Sequence, residues 1–471
     1  MYKKCYATRL GNNKYKIHLW DEAGYDELEW YNTAYKECSE DKATDKGING
    51  ENLIRTYEWN KNTPNLHFHD MKPYQKYLIE RYGIDDKPST GHRELFFDIE
   101  CEIGGALTEE YIERAPMPIT SIAYWDKTPD KWVILVLDKK DELKRTKAKN
   151  KEIIPCTTEQ SLLANFLEHF REIDPDILIG YNSDFFDIPY LYYRMCNVLG
   201  DEFANELSPI SRVNAKKGNQ YFFKRNQFVD IVGVESLDYM RLHKKYSWKD
   251  EPSWKLDAIG EKYTGIGKVE YEGNLDQLFE NDIQKFIQYN FRDVEILKLL
   301  DEKLQYIALT KNLSHKGKHN YSEVYANSNT QDGAISAYLL SQNIIPPAKD
   351  PNPKSKKGYA GGYLFCPKAG LYKYMFDEDL TSLYPSIIMS LNIGKETFVG
   401  RIVDADDRNN RLGLNDLKER DQDEELLVEN PKGQQTKVNV GRLVTMIEQN
   451  ELAISANGSI FDTKKESTLS T

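Results

Sequence analysis

Strand-like and helix-like patterns alternate through the middle of the chain. Short apolar runs are typical of buried strands, and apolar residues at helical spacing are typical of amphipathic helices. Strands that alternate with helices indicate an α/β sheet flanked by helices. A polar stretch at residues 312–321 is expected to interrupt the last long helix. The predicted elements are strands at 94–98, 131–138 and 176–180, and helices at 161–170, 282–303 and 332–340.

The same patterns predict a multidomain chain of mixed α/β (α+β) class. The length of 471 residues fits about three domains at the usual ~100–200 residues each. Residues 1–91 are expected to form a small N-terminal α/β domain, and residues 92–335 a larger α/β domain. Residues 336–471 begin with a linker rich in proline and lysine and continue into a further apolar region.

Composition narrows the class of protein. The net charge of −12 argues against a protein that coats nucleic acid, but it permits an enzyme with a local basic channel. The six cysteines form no CxxC pair, which argues against a zinc site or a disulfide framework and fits a reducing cytosol. No apolar run approaches the ~20 residues of a membrane-spanning helix. We therefore expect a cytoplasmic protein, in the host cell if the source is viral.

Two carboxylates follow the first predicted strand. Asp98 and Glu100 are two residues apart, so both side chains lie on one face of an extended chain. Such a pair can hold two divalent ions about 3.5–4 Å apart, an arrangement suited to attack on a phosphate. Oxygen ligands favour Mg²⁺ or Mn²⁺. The alternative is a solvated acidic loop, because this short motif is common.

Three later residues are able to complete an acidic site. Asp187 follows a predicted buried strand, where it is also suited to cap a helix, and the two roles can coexist. Tyr289 and Asp293 are four apart in a predicted helix and therefore share a face. Asp293 would join the carboxylates, and Tyr289 would orient the attacking water. Taken alone, Tyr289 is equally a core aromatic.

The order of three motifs is more specific than any one of them. FFDIE (96–100), YNSDFFDIPYL (181–191) and YNFRDVEIL (289–297) resemble the exonuclease motifs of B-family DNA polymerases, in particular those of T-even-like bacteriophages. The resemblance implies an RNase-H-like 3′–5′ exonuclease domain. A predicted hairpin turn at residues 216–219 would match the family's exonuclease hairpin, or be an ordinary surface hairpin. The implied roles are metal binding by Asp98, Glu100, Asp187 and Asp293, assistance to water by Tyr289, and positioning of a frayed DNA strand by Asn182 and Phe186.

A fourth motif resembles the first polymerase motif of the same family. It is DLTSLYPSII at residues 379–388, and YAGG at residues 359–362 resembles the family's YxGG element. The resemblance implies an incomplete polymerase palm within residues 336–471. The implied metal ligands are Asp379 and Leu380. The implied nucleotide-binding residues are Ser382, Leu383 and Tyr384, of which Tyr384 would exclude ribonucleotides. The implied DNA contacts are Tyr359, Gly361 and Gly362.

Two further family motifs do not occur in the 471 residues. They are the fingers helix of form KxxxNSxYG and the DTDS turn with the second metal-binding aspartate. We therefore expect the N-terminal subunit of a split replicative polymerase, which binds DNA primer–template and single-stranded 3′ ends. A partner chain would supply the fingers, the remaining palm and the thumb, and deoxynucleotides would bind only in that complex. The alternatives are a standalone exonuclease with a DNA-gripping palm remnant, a non-enzymatic binding module and an inactive truncation product.

Overall fold

The chain forms two compact units in a computed structural model. The first contains Met1–Asn32 and Lys72–Ala334, and the second contains Thr33–Met71 and Ile335–Thr471. The three-domain division at residues 91 and 335 stays a prediction, because this grouping reflects packing alone. The structure describes residues 1–60, 62–102, 104–215, 229–247, 249–349, 368–376, 378–403, 412–465 and 467.

Strands and helices are distributed over both units, which confirms the predicted mixed α/β multidomain class. The described strands are β1 (Tyr2–Gly11), β2 (Lys14–Asp21), β3 (Gly24–Tyr31), β4 (Ala34–Glu37), β5 (Asp45–Gly47), β6 (Asn52–Thr56), β7 (Leu66–His67), β8 (Glu94–Cys101), β9 (Ile119–Asp126), β10 (Lys131–Leu137), β11 (Thr146–Ala148), β12 (Lys151–Cys156), β13 (Ile177–Gly180), β14 (Val213–Ala215), β15 (Val229–Ile231), β16 (Glu235–Asp238), β17 (Ile344–Ile345), β18 (Phe398–Ile402), β19 (Glu425–Glu429), β20 (Gln435–Asn439), β21 (Leu452–Ile454) and β22 (Ser459–Asp462). The described α-helices are α1 (Pro73–Tyr82), α2 (Glu109–Arg114), α3 (Glu159–Ile173), α4 (Asp187–Leu199), α5 (Asp201–Asn205), α6 (Tyr239–Tyr246), α7 (Leu256–Thr264), α8 (Leu275–Asn281), α9 (Ile283–Leu304), α10 (Tyr306–Gly317), α11 (Asn327–Ser341), α12 (Leu383–Ser390), α13 (Leu414–Glu419) and α14 (Val440–Gln449).

A seven-stranded sheet organises the first unit. Its strand order is β11-β12-β10-β9-β8-β13-β16. The strands β8, β9 and β10 pair antiparallel, whereas β13 runs parallel to both β8 and β16. The sheet thus combines antiparallel with parallel strands, as in a mixed α/β domain. The predicted strands and the helices α3, α9 and α11 occur close to the predicted positions.

The two faces of this sheet are buried in separate apolar clusters. Phe97 and Ile99 of β8 belong to the cluster that also contains residues of α3 and α4. Phe96 belongs to the cluster on the α9 side. Because side chains alternate along a strand, Asp98 and Glu100 continue the row of Phe96 and face α9.

One predicted helix boundary is wrong. The expected interruption at residues 312–321 falls largely within α10, which continues to Gly317. The actual break is at Gln305, whose φ of 54° is left-handed and ends α9. The polar stretch was expected to be an exposed loop, but Ser314 and His315 are buried within the helix in spite of their polarity.

The base of the predicted exonuclease hairpin is present in the first unit. The strands β14 and β15 pair antiparallel, with Val213 opposite Ile231. The predicted turn at residues 216–219 lies outside the described residues. The first unit also contains the three-stranded sheet β1-β2-β3, whose core includes Tyr77 and Leu78 of α1.

Two five-stranded sheets occur in the second unit. Their orders are β17-β5-β6-β4-β7 and β20-β19-β18-β22-β21. The second sheet shares an apolar core with α13 and α14. Within the parts of the chain that the structure describes, no helix combines the length and apolar character needed to cross a membrane.

Candidate active site

Three of the four acids predicted for the exonuclease site converge at one point. The carboxylate oxygens of Asp98 and Glu100 on β8 and of Asp293 on α9 lie within 4.8 Å of one another. Asp98 and Glu100 are partly exposed, whereas Asp293 is buried. The convergence follows from the alternation of β8 and from the packing of α9 over the Phe96 face of the sheet.

Asp187 contacts the backbone of the same strand segment. Its Oδ1 atom accepts a hydrogen bond of 3.2 Å from the backbone N–H of Ile99. Asp187 is therefore beside the residue that separates Asp98 from Glu100, although it is outside the group of three. The expectation that Asp187 caps a helix is wrong, because α4 begins at Asp187 and Phe186 occupies the N-cap position.

The pKa values of these four acids are all raised above their usual range. Burial, together with the charges of Asp293 and Glu100, raises the pKa of Asp98 well above its usual range. Burial and the charge of Asp293 raise the pKa of Glu100 to about 8. Burial raises the pKa of Asp187 to about 7 in spite of the hydrogen bond from Ile99. Such shifts indicate carboxylates that repel one another unless a cation lies between them.

Asn290 fixes the orientation of Asp98. Its Nδ2 atom donates to Asp98 Oδ2 at 2.7 Å, and its Oδ1 atom accepts from Ser121 Oγ at 2.8 Å. All three side chains are in the same site, and Asn290 is adjacent to Tyr289 on α9. The motif that identified Tyr289 therefore also contains the residue that positions the first acid.

Lys268 is the site residue that sequence reasoning missed. Its Nζ atom donates to Tyr289 OH at 2.9 Å and to Asp293 Oδ2. The backbone N–H of Lys268 is held by Asp257 Oδ1 at 2.7 Å. Lys268 follows α7 in a segment without strand or helix periodicity. The hydrophobic pattern of the sequence therefore did not predict Lys268 as a site residue.

Replacing Lys268 with methionine should lower phosphodiester cleavage by about 10- to 100-fold, the equivalent of one charge-assisted hydrogen bond. The ammonium group opposes the effect of burial, which raises the pKa of Asp293. Without it the pKa of Asp293 should rise further, so the activity deficit should shrink as the pH increases. A pH–rate profile measures this effect. Lys262→Met is the matched control, because Lys262 pairs with Glu251 instead. A deficit that is equal at every pH would refute the electrostatic role.

A second, independent observation indicates that this group of acids suits a divalent cation. Asp293 Oδ1 is buried and receives no hydrogen bond from any residue that the structure describes. A buried carboxylate oxygen without a donor is costly unless an ion or water binds it. The donor set is all oxygen, which suits Mg²⁺ or Mn²⁺ better than zinc.

Mg²⁺ should raise the melting temperature of the chain, and by more at about pH 8.5 than at about pH 6. Without metal, Asp187 and Glu100 lose their protons at pKa values of about 7 and 8 in the folded state. Because these values are raised above those of the unfolded chain, the stability from these groups is complete at low pH. It is lost as the pH rises towards 8. Bound Mg²⁺ should reverse that loss.

Differential scanning fluorimetry at the two pH values measures the effect. Asp98→Asn with Glu100→Gln should remove the response to Mg²⁺. A stabilisation by Mg²⁺ that is the same at both pH values, or that persists in the variant, would contradict a metal site at these acids.

The residues predicted to hold a frayed strand lie in one turn between β13 and α4. Asn182 has a left-handed backbone with φ of 63°, and the ring of Phe186 packs at a tilt against that of Tyr190 with ring centroids 5.3 Å apart. This turn directly precedes Asp187. The predicted DNA contacts and the predicted metal ligands are therefore continuous along the chain.

The predicted polymerase residues are in the second unit and form no comparable group. Leu380, Leu383 and Tyr384 are exposed, and so are Asp379 and Ser382. Among the described residues the only acidic group with metal-ligand geometry is that of Asp98, Glu100 and Asp293. The DNA contacts predicted for the polymerase part lie outside the described residues; they are Tyr359, Gly361 and Gly362.

Two family models match this chain, one in its N-terminal part and one in its C-terminal part. The model for "DNA polymerase family B, exonuclease domain" matches residues 43–259. The model for "DNA polymerase family B" matches residues 326–449. The first match contains Asp98, Glu100 and Asp187, and the second contains Asp379. Tyr289 and Asp293 fall between the two matched regions.

Curated relatives agree with the family matches. The DNA-directed DNA polymerase of Escherichia phage RB69 is 32% identical over 346 residues, which is 69% of this chain and 38% of the relative. That of Enterobacteria phage T4 is 32% identical over 248 residues, 53% of this chain and 27% of the relative. The DNA polymerase of Pyrococcus glycovorans is 26% identical over 343 residues, 70% and 40% of the two chains. The chain thus spans less than half the length of these relatives. It belongs to DNA polymerase family B and contains the family's exonuclease domain and part of its polymerase domain.

Proposed function

We propose that this chain removes nucleotides one at a time from the 3′ end of single-stranded or frayed DNA, using Mg²⁺ or Mn²⁺. The observation that carries the proposal is the convergence of Asp98, Glu100 and Asp293 within 4.8 Å. Asp187 hydrogen-bonds to the strand segment between the first two. A binding module has no use for four acids gathered at one strand, so a non-enzymatic role is disfavoured.

The proposed reaction is attack of water on the terminal phosphodiester, which breaks the bond from phosphorus to the 3′ oxygen of the preceding nucleotide and releases a nucleoside 5′-monophosphate. Bound divalent ions would lower the pKa of the attacking water and offset the charge that develops on the phosphate. Burial raises the pKa of Tyr289, so its hydroxyl keeps its proton at neutral pH. That hydroxyl accepts from Lys268, which leaves its own proton available to hold the water or a phosphate oxygen. Asn290 keeps the Asp98 carboxylate in place.

We further propose that the chain is the N-terminal subunit of a split polymerase. The motif at residues 379–388 and the family match over residues 326–449 support one part of a polymerase site. The segment before and within this motif exposes apolar side chains, with Tyr374 98% and Tyr384 76% accessible. Exposed apolar surface of this kind is typical of an interaction site. We propose that a partner chain with fingers, remaining palm and thumb covers it.

The test is an assay of labelled primer–template with Mg²⁺, first with this chain alone and then with the candidate partner. Degradation alone and extension with the partner would support both proposals. Degradation in both cases would favour the standalone exonuclease.

Because two relatives are phage proteins, we place the proposed activity in the cytoplasm of the host cell.

A further inference from the structure

The turn at residues 181–186 is held by a charged network that the proposed reaction does not use. Asp184 is buried, and its Oδ2 atom accepts a hydrogen bond from Arg241 Nη1. Its Oδ1 atom accepts from Ser236 Oγ at 2.6 Å. Arg241 is on α6 and Ser236 on β16, so the network ties the turn to the neighbouring strand and helix.

The guanidinium group of Arg241 is fixed by aromatic rings as well as by Asp184. It stacks on Tyr325 at 3.8 Å from the ring centroid and faces Phe185 at 6.0 Å. Phe185 is in the turn itself, between the two predicted DNA-contact residues. The guanidinium group is planar, and it is held both by a carboxylate and by the face of an aromatic ring. It therefore has little freedom to move.

A second buried carboxylate holds the turn through its backbone. Asp238 Oδ1 accepts from the backbone N–H of Asn182 at 2.9 Å. Asn182 is left-handed, and its carbonyl accepts the backbone N–H groups of Phe185 and Phe186, both at 3.1 Å. Asparagine adopts the left-handed region more readily than other residues that carry a side chain. The contacts of Asp238 with Asn182, and of Arg241 with Asp184 and Phe185, fix this turn.

Stability alone is a poor explanation of this network. A buried ion pair loses about as much in desolvation as it gains in attraction, and well-packed apolar residues are often as stabilising. The network is also separate from the metal group, because neither Asp184 nor Asp238 belongs to it. Its consistent structural effect is to fix one conformation of the turn that carries Asn182 and Phe186.

We propose that Arg241 and Asp184 form a positioning pair, which holds the turn at residues 181–186 in the conformation that binds an unpaired 3′ strand. This inference rests on the proposed exonuclease function and adds the residues that determine its preference for single-stranded ends. Loss of the pair should loosen the turn and weaken strand binding. The metal group should remain intact, because it is held by β8 and α9.

The test uses Arg241→Met and Asp184→Asn, singly and together, in the full chain. Each single variant should raise KM for a single-stranded oligonucleotide by about tenfold, the effect of one lost charge-assisted contact, with kcat within about threefold of the wild type. The double variant should resemble the single variants, because both remove the same interaction. Arg241→Lys should recover part of the loss. Arg171→Met is the control, because it breaks the exposed pair with Glu206.

A binding measurement separates this inference from the proposed activity. In the Asp98→Ala, Glu100→Ala background, Arg241→Met should weaken the binding of a labelled single-stranded oligonucleotide by a similar factor, seen by fluorescence anisotropy. An unchanged KM and affinity, or a loss confined to kcat, would overturn the positioning role. Absence of degradation by the wild-type chain would refute the proposed function instead, while the anisotropy result would still decide the role of the pair.

Discussion

Replacing Asp98 and Glu100 with alanine should reduce 3′–5′ degradation of single-stranded DNA by about a thousandfold or more, since metal-assisted charge stabilisation is worth several kcal/mol. The two side chains provide most of the acidic group and face the same point as Asp293. The fold should survive, because both are partly exposed and their removal relieves repulsion among carboxylates. Initial rates on a 5′-labelled oligonucleotide, with melting temperatures of both proteins, measure the effect.

The chain offers a matched control for this change. Asp421 and Asp423 are also two residues apart, and both are exposed, but they are in the second unit and belong to no acidic group with metal-ligand geometry among the described residues. Asp421→Ala with Asp423→Ala should leave degradation unchanged. Equal losses in the two double variants would show that net charge, and not the site, governs the rate.

Asp379→Ala should abolish templated synthesis by the complex of this chain with its proposed partner. We again expect a loss of about a thousandfold or more, because phosphoryl transfer depends on metals held in place. Degradation should stay unchanged, because Asp379 is in the second unit and outside the acidic group of the first. In the same complex Tyr384→Ala should increase incorporation of ribonucleotides. Primer extension and primer degradation, measured side by side, give both results.

Glu378→Ala is the matched control for Asp379→Ala. Glu378 is the preceding residue and is likewise an exposed carboxylate. Synthesis that survives Asp379→Ala, or that falls equally with Glu378→Ala, would refute the assignment of Asp379. Unchanged rejection of ribonucleotides by Tyr384→Ala would refute the role of Tyr384 alone.

Local motifs predicted the acidic part of the site because its members follow regular periods. Alternation along β8 places Asp98 and Glu100 on one face, and helical spacing places Tyr289 with Asp293. Those periods survive in the structure, and the acids converge as expected. The predicted strand 94–98 was short by three residues, because β8 continues through the acidic motif to Cys101.

The remaining features depend on contacts between distant parts of the chain. Lys268 reaches Asp293 from a segment 25 residues away. Arg241 reaches Asp184 across 57 residues, through the parallel pairing of β13 with β16. No local period encodes such contacts. The break at Gln305 was missed for a different reason, since a left-handed residue other than glycine leaves little trace in a hydrophobic pattern.

The most direct test of the central proposal is digestion of a 5′-labelled single-stranded oligonucleotide by this chain alone in the presence of Mg²⁺. We expect a ladder of products that shorten one nucleotide at a time from the 3′ end. We also expect the ladder to disappear in the Asp98→Ala, Glu100→Ala variant and on chelation of the metal. An intact oligonucleotide, or a ladder that persists in the variant, would contradict an exonuclease site built on these acids.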